Sequence, residues 1–189
     1  MIYGITGKQR NGKTLFMTEV AFDYYNKGFH IIANYKLTFP YIEFDEEMFY
    51  SDERIEAFKR KYKTNKFLVC LADAHLILSA HMARKDARKL YFITQINKIL
   101  EEEGHFLYDT QRYEQMNKTL RNNTDMLMWV KKLSNKFEPL RIEIHILEDK
   151  MSYFDEVGMF EINEADIHLG LFERFGRTKL SENYTPKVR

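Results

Sequence analysis

Cysteine, proline, charge of one sign and long apolar runs are all scarce in this sequence of 189 residues. Its single cysteine, Cys70, cannot pair within the chain, which excludes a disulfide scaffold. Placed inside FLVCL, it points to a reducing compartment. The three prolines, Pro40, Pro139 and Pro186, are scattered and mark bends rather than a linker, and no repeat or low-complexity tract is present. No apolar run approaches the roughly 20 residues that cross a bilayer. The opening MIYGITGKQRNGKT has neither the apolar stretch nor the small-residue cleavage site of a signal peptide. A cytoplasmic protein without a membrane span is therefore expected. Lys and Arg number 29 against 28 Asp and Glu, a net charge of +1, which argues against a globally basic nucleic-acid protein but leaves local patches open. His75, His81, His105, His145 and His168 show no metal-ligand spacing, and one cysteine cannot build a zinc site. No Gly-x-Ser-x-Gly elbow stands out.

What remains is a chain with 44% apolar and 30% charged residues, enough apolar surface to offset the entropy of ordering and to exclude global disorder. At roughly 150 residues per domain, a single domain over 1–189 is expected. Ile2 to Thr6 reads as a strand, and the apolar spacing from Lys13 to Phe22 as a helix that Gly28 closes. His30 to Leu37 reads as a strand, Tyr41 to Phe44 as a short extended piece, and Glu53 to Tyr62 as a charged amphipathic helix. Phe67 to Leu71 has the unbroken apolar pattern of a strand buried on both faces of a parallel sheet. One helix is expected over Ile77 to Glu102, a strand over His105 to Thr110, a short helix over Tyr113 to Arg121 and a strand over Met126 to Val130. Arg141 to Leu147 alternates, as a half-exposed antiparallel strand near an edge does. An extended piece to Ile162, a helix over Glu164 to Phe175 and a basic tail complete the expectation. Strands alternating with helices give an α/β fold with a mostly parallel sheet.

Gly7-Lys8-Gln9-Arg10-Asn11-Gly12-Lys13-Thr14 matches G-x-x-x-x-G-K-[ST] in full, between a strand and a helix as that motif requires. The glycines let backbone N–H groups close on phosphate oxygens, and the helix aims its positive end at the anion. Lys13 reaches the terminal phosphates and the Thr14 hydroxyl ligates Mg²⁺. Asn11 stands where many such loops carry glycine, and asparagine enters the left-handed region more readily than most residues. ATP with Mg²⁺ is the expected ligand pair. A hydrolase also needs a carboxylate for the metal shell and a group to orient water. Asp73, which follows the buried strand in FLVCLADAH, is the candidate.

Three segments, MIYGITGKQRNGKT, LVCLADAH and LYDTQRYEQMNKTLRNNTD, resemble the HerA/FtsK group of P-loop ATPases, and within it the Zot-like and viral DNA-packaging ATPases. The resemblance covers about the first 130 residues. It implies a RecA-like P-loop NTPase sheet of the ASCE type, with helices on both faces, antiparallel strands at one edge, an ATPase core over 1–130 and edge strands with a helix over 131–189. The family's second motif usually ends Asp-Glu-Ala-His. Aligned on Ala74-His75, the chain puts Ala72 at the metal-associated aspartate and Asp73 at the catalytic glutamate. In another register Asp73 is the metal carboxylate and no catalytic glutamate remains. In either register one carboxylate does the work of two, so slow hydrolysis, or tight binding without turnover, is expected.

The resemblance further implies that Gln111 senses the γ-phosphate, on a strand lying between the phosphate-loop strand and the acidic-motif strand. Arg121 matches the arginine that such ATPases supply to a neighbouring subunit, with Arg112 as competitor. The implied activity is a DNA-translocating motor, a homo-oligomeric ring (a hexamer) acting on double-stranded DNA with viral capsid or assembly proteins, in the host cytoplasm or virion. Phage-assembly ATPases of the Zot type normally carry a membrane segment, which this sequence lacks. The basic runs Lys59-Arg60-Lys61-Tyr62-Lys63 and Arg84 to Lys89 are candidates to line a DNA channel, although such runs on amphipathic helices are more often solvated faces. A nucleoside or nucleotide kinase and a non-hydrolysing, nucleotide-gated assembly module are the alternatives.

Overall fold

The computed structural model describes residues 1–63, 66–100, 104–135, 138–149 and 154–163. The expected helix over Glu164 to Phe175, the basic tail, His168 and Pro186 lie outside the described residues. Eight strands form one sheet: β1 (Ile2–Thr6), β2 (His30–Ala33), β3 (Ile42–Glu43), β4 (Phe67–Leu71), β5 (His105–Thr110), β6 (Met126–Lys132), β7 (Arg141–Asp149) and β8 (Phe154–Asn163). Their spatial order is β3-β2-β4-β5-β1-β6-β7-β8. The pairs from β3 through to β6 are parallel, whereas β6–β7 and β7–β8 are antiparallel. The alternation in β7 has its reason here: Ile142 and Ile144 are buried, and Arg141 faces out to pair with Glu161 of β8 at 2.7 Å.

Helix α1 (Lys13–Asn26) covers one sheet face, where Leu15, Phe16, Met17 and Ala21 pack on Ile5, Leu68, Cys70 and Leu107. Gly28, at φ 84°, ends it. Helices α2 (Asp52–Tyr62) and α5 (Ala87–Leu100) contribute Ile55, Phe58, Phe92, Ile93 and Ile96 to the opposite core, with Ile2, Phe67, Val69, Phe106 and Tyr108. Helices thus lie on both faces. The strands expected over β1, β4 and β5 have the bounds read from the sequence; β4 is apolar and buried along its whole length, while β1 and β5 are mostly buried and end in polar residues at Thr6 and Thr110.

Four expectations need correction. The helix over Ile77 to Glu102 is broken into α3 (His75–Leu78), α4 (Ala80–Lys85) and α5, because Ser79 and Asp86 take extended backbone conformations. The Ser79 hydroxyl accepts from the Met82 N–H and starts α4. The helix over Tyr113 to Arg121 is a single 3₁₀ turn (Tyr113–Gln115) followed by α6 (Lys118–Asn122), since Met116 is extended against Ser79 and Asn117 caps α6. The strand from His30 stops at Ala33 rather than Leu37, because Asn34 turns its side chain to the backbone of Ala72. In the phosphate loop Arg10, at φ 63°, is the left-handed non-glycine residue, and Asn11 is not.

Candidate phosphate-binding site

Strand β1 delivers the loop, and β6 fixes its floor. Gly7 has φ 142°, and a Cβ there would lie 2.3 Å from the Val130 carbonyl oxygen, so any other residue would collide with backbone. Asn11 uses its side chain instead of its backbone, donating from Nδ2 to the same Val130 carbonyl at 3.0 Å. Gly12, left-handed at φ 89°, turns the chain into α1. The loop residues Lys8, Gln9 and Arg10 are exposed around this frame.

Lys13 opens α1 and is buried, with Nζ donating to the Lys8 carbonyl at 3.2 Å. Burial pulls its pKa down, while the charges of Asp109 and Asp73 pull it up. Thr14 donates its hydroxyl to Asp109 Oδ2 at 2.7 Å. Asp109 is 1% exposed at the penultimate position of β5. Its other oxygen accepts from the Asp73 N–H at 2.7 Å, and its carbonyl accepts from the Ala74 N–H at 2.8 Å. Burial raises the Asp109 carboxyl to about 6, against the lowering effect of those two side-chain bonds.

These bonds shape the turn after β4. Asn34 clamps Ala72 through both backbone groups, accepting from its N–H at 2.7 Å and donating to its carbonyl at 2.9 Å. Asp109 then holds Asp73 and Ala74, and Asp73 is left at φ 48°, a left-handed conformation uncommon outside Gly, Asn and Asp. Helix α3 receives no side-chain cap from this turn. The half-buried Asp73 shares its field with Lys13 and His75. Burial lowers the His75 imidazole, the Asp73 charge works against it, and the charges of Lys13 and Arg112 add to the lowering.

The structure therefore brings Lys13, Thr14 and Asp73 together around the loop. Gln111 follows directly on β5 and is exposed, as is Arg112, whose charge reaches His75. Strand β5 does run between β1 and β4. Arg121 lies elsewhere: α6 packs through Leu120 into the core on the face opposite α1, and the Arg121 charge acts on the buried Tyr108 hydroxyl. Among the described residues its Nε is buried without a hydrogen-bond partner, and its carbonyl accepts from the Tyr113 hydroxyl at 3.1 Å. Several basic candidates are already paired: Arg88 with Asp86, Lys89 with Glu46 and Lys59 with Glu56. Sequence reading missed Asp109 and Asn34. The signal for Asp109 was there, a carboxylate at the C-terminal end of an apolar strand, where open α/β sheets place their ligands.

A hydroxyl and a carboxylate beside a phosphate loop form the donor set that suits Mg²⁺, which takes few protein ligands and keeps phosphate oxygens and water. Among the described residues no group of three His, Cys, Asp or Glu side chains is placed to hold a metal by itself. No described helix is long and apolar enough to cross a membrane.

No protein-family model matches the sequence, and no curated protein matches it. Among solved structures, the fold is similar to the N-terminal domain of zonular occludens toxin from Neisseria meningitidis, with a TM-score of 0.61 at 18% identity over 92% of this chain and 97% of that one. The flagellar accessory protein FlaH from Methanocaldococcus jannaschii aligns with a TM-score of 0.49 at 11% identity, over 85% of this chain and 83% of that one. The match to the zonular occludens toxin domain, with the phosphate loop after β1 and the parallel order β4-β5-β1, makes this a mixed α/β sheet of eight strands of the RecA-like P-loop type.

Proposed function

We propose that this chain is a Mg²⁺-dependent ATPase serving as one subunit of a DNA-translocating ring, with packaging of a viral or mobile-element genome as its task. The observation that carries the nucleotide reading is the juxtaposition of Lys13, Thr14, Asp73 and Asp109 at the mouth of a complete phosphate loop. In this reading the loop N–H groups and Lys13 bind the phosphates, and burial of Lys13 strengthens its attraction for them. A bound Mg²⁺ would neutralise charge on the phosphate oxygens. Thr14 offers its oxygen to the cation. Asp73, half-buried at the rim, is the group available to orient water, and Gln111 reports on the γ-phosphate. Arg121, remote from the loop of its own chain, serves a neighbouring subunit in the ring.

The DNA and ring components rest on the resemblance of the three sequence segments. Exposed Arg60, Lys61, Lys63 and Lys85 are candidates to meet a DNA backbone, whereas Arg88 and Lys89 are engaged by carboxylates. The second reading, a nucleotide-gated module that does not hydrolyse, is favoured by Ala72, which leaves the end of β4 with one carboxylate where the family usually has two.

Steady-state ATP turnover, with and without double-stranded DNA, separates these readings. Turnover that DNA stimulates and Lys13→Ala abolishes is the expected result. Activity that survives Lys13→Ala overturns the assignment of the site. Turnover at background with ATP still bound supports the gated module, and turnover indifferent to DNA removes the DNA cargo.

A further inference from the structure

We infer that Asp109, on the strand between β1 and β4, is the carboxylate that orients Thr14 for the divalent cation, a task displaced by one strand from the end of β4. The inference deepens the ATPase reading and rests on it. Cys70 and Ala72 of β4 and its turn, and Leu107 of β5, belong to the core that α1 covers, so the side chain at 109 faces α1 as well. An aspartate at 72 would point at the same ground as Asp109 does. Ala72 is 1% exposed and carries no polar atom beyond its backbone. Asp109 supplies the missing charge from the adjacent strand, one position nearer β1.

The geometry fits an orienting role. A threonine hydroxyl has one proton and two lone pairs. At Thr14 the proton goes to Asp109 Oδ2 at 2.7 Å, which leaves the lone pairs for a cation. Asp109 is itself held, because Oδ1 accepts from the Asp73 N–H and its carbonyl accepts from the Ala74 N–H. Partners of this kind typically change metal affinity by roughly 10–100-fold when removed. Asp73 lacks such a connection: among the described residues its carboxylate makes no hydrogen bond to Thr14, and its half-buried place at the rim suits water rather than the threonine. The two carboxylates divide the labour, Asp109 behind the metal ligand and Asp73 in front of the phosphates.

Binding of ATP to the full chain, measured calorimetrically with and without Mg²⁺, tests this. For Asp109→Asn the Mg²⁺-dependent gain in ATP affinity falls roughly 10–100-fold. Metal-free ATP binds this variant as well as wild type or better, since a negative charge near the triphosphate has gone. A purely structural role would weaken both forms of binding together, and that result overturns the inference. So does an unchanged Mg²⁺ dependence, or its loss in Asp73→Asn instead. If Asp109→Asn does not fold, Asp109→Glu makes the same comparison with the charge kept, because the longer arm cannot hold both Thr14 and the Asp73 N–H. Adding Ala72→Asp to Asp109→Asn restores part of the Mg²⁺ dependence. Wild type that binds no ATP under any condition would remove the ATPase reading itself, an outcome distinct from these.

Discussion

The Thr14 hydroxyl and the Asp109 carboxylate, 95 residues apart in sequence, meet at 2.7 Å and join the start of α1 to the end of β5. Burial of that carboxylate carries a cost to the ligand-free chain, which the Thr14 bond only partly offsets. Burial holds the Asp109 carboxyl at about 6 rather than the usual 3.8, so between those values the folded chain binds more protons than the unfolded one. Stability contributed at this site therefore falls as pH rises from about 4 to 6, by up to about 3 kcal/mol at neutral pH. Asp109→Asn is expected to raise the melting temperature of the nucleotide-free protein at pH 7.5, and the gain to fade at pH 4. A lower melting temperature at both pH values would show that the carboxylate stabilises the fold.

Asp73 is expected to matter for turnover rather than for binding. Asp73→Asn keeps the left-handed backbone conformation that asparagine tolerates, so folding and ATP affinity stay close to wild type. Hydrolysis falls by roughly 10²-fold or more, the usual contribution of a positioned acid–base group. Equal rates for the two proteins in a single-turnover assay would take Asp73 out of the reaction.

Gly7→Ala places a methyl group against the Val130 carbonyl at a backbone φ of 142°. Neither the strand carbonyl nor the loop can withdraw, because Val130 also receives Asn11. A destabilisation of about 3 kcal/mol, with loss of ATP binding, is expected from the strain and overlap together. Urea unfolding measures it, and a change below about 0.5 kcal/mol, the range of an ordinary surface substitution, would contradict the close approach.

His105 sits among aromatic rings, with Tyr24 at 5.0 Å, Phe29 at 5.7 Å and Tyr3 at 5.9 Å. Its Nδ1 is buried without a hydrogen-bond partner among the described residues, and burial lowers its pKa from 6.5. The unfolded chain then takes up the proton first, so this contribution to stability is present above pH 6.5 and is lost as pH falls below it. His105→Phe should flatten the decline in urea midpoint between pH 7 and 5. An unaltered slope would place the pH dependence elsewhere.

The sequence alone determined the phosphate loop and the strands β1, β4 and β5, because each depends on local pattern: a fixed spacing of Gly, Lys and Thr, the unbroken apolar run of β4, or short β-prone stretches bounded by glycine and polar residues, as in β1 and β5. Helix breaks at Ser79 and Asp86 were hidden, since a capping side chain and a solvent-facing one look alike until the neighbouring element is in place. Tertiary structure decided that Asn34 ends β2 by clamping Ala72, that Asn11 anchors the loop through its side chain, and that Arg121 is remote from the loop of its own chain. It also decided which carboxylate meets Thr14. Asp73 looked suited because it follows the motif strand, yet the parallel order β4-β5-β1 sets β5 nearer to the loop. Strand order depends on contacts between distant segments, and those leave no periodicity in the chain to read.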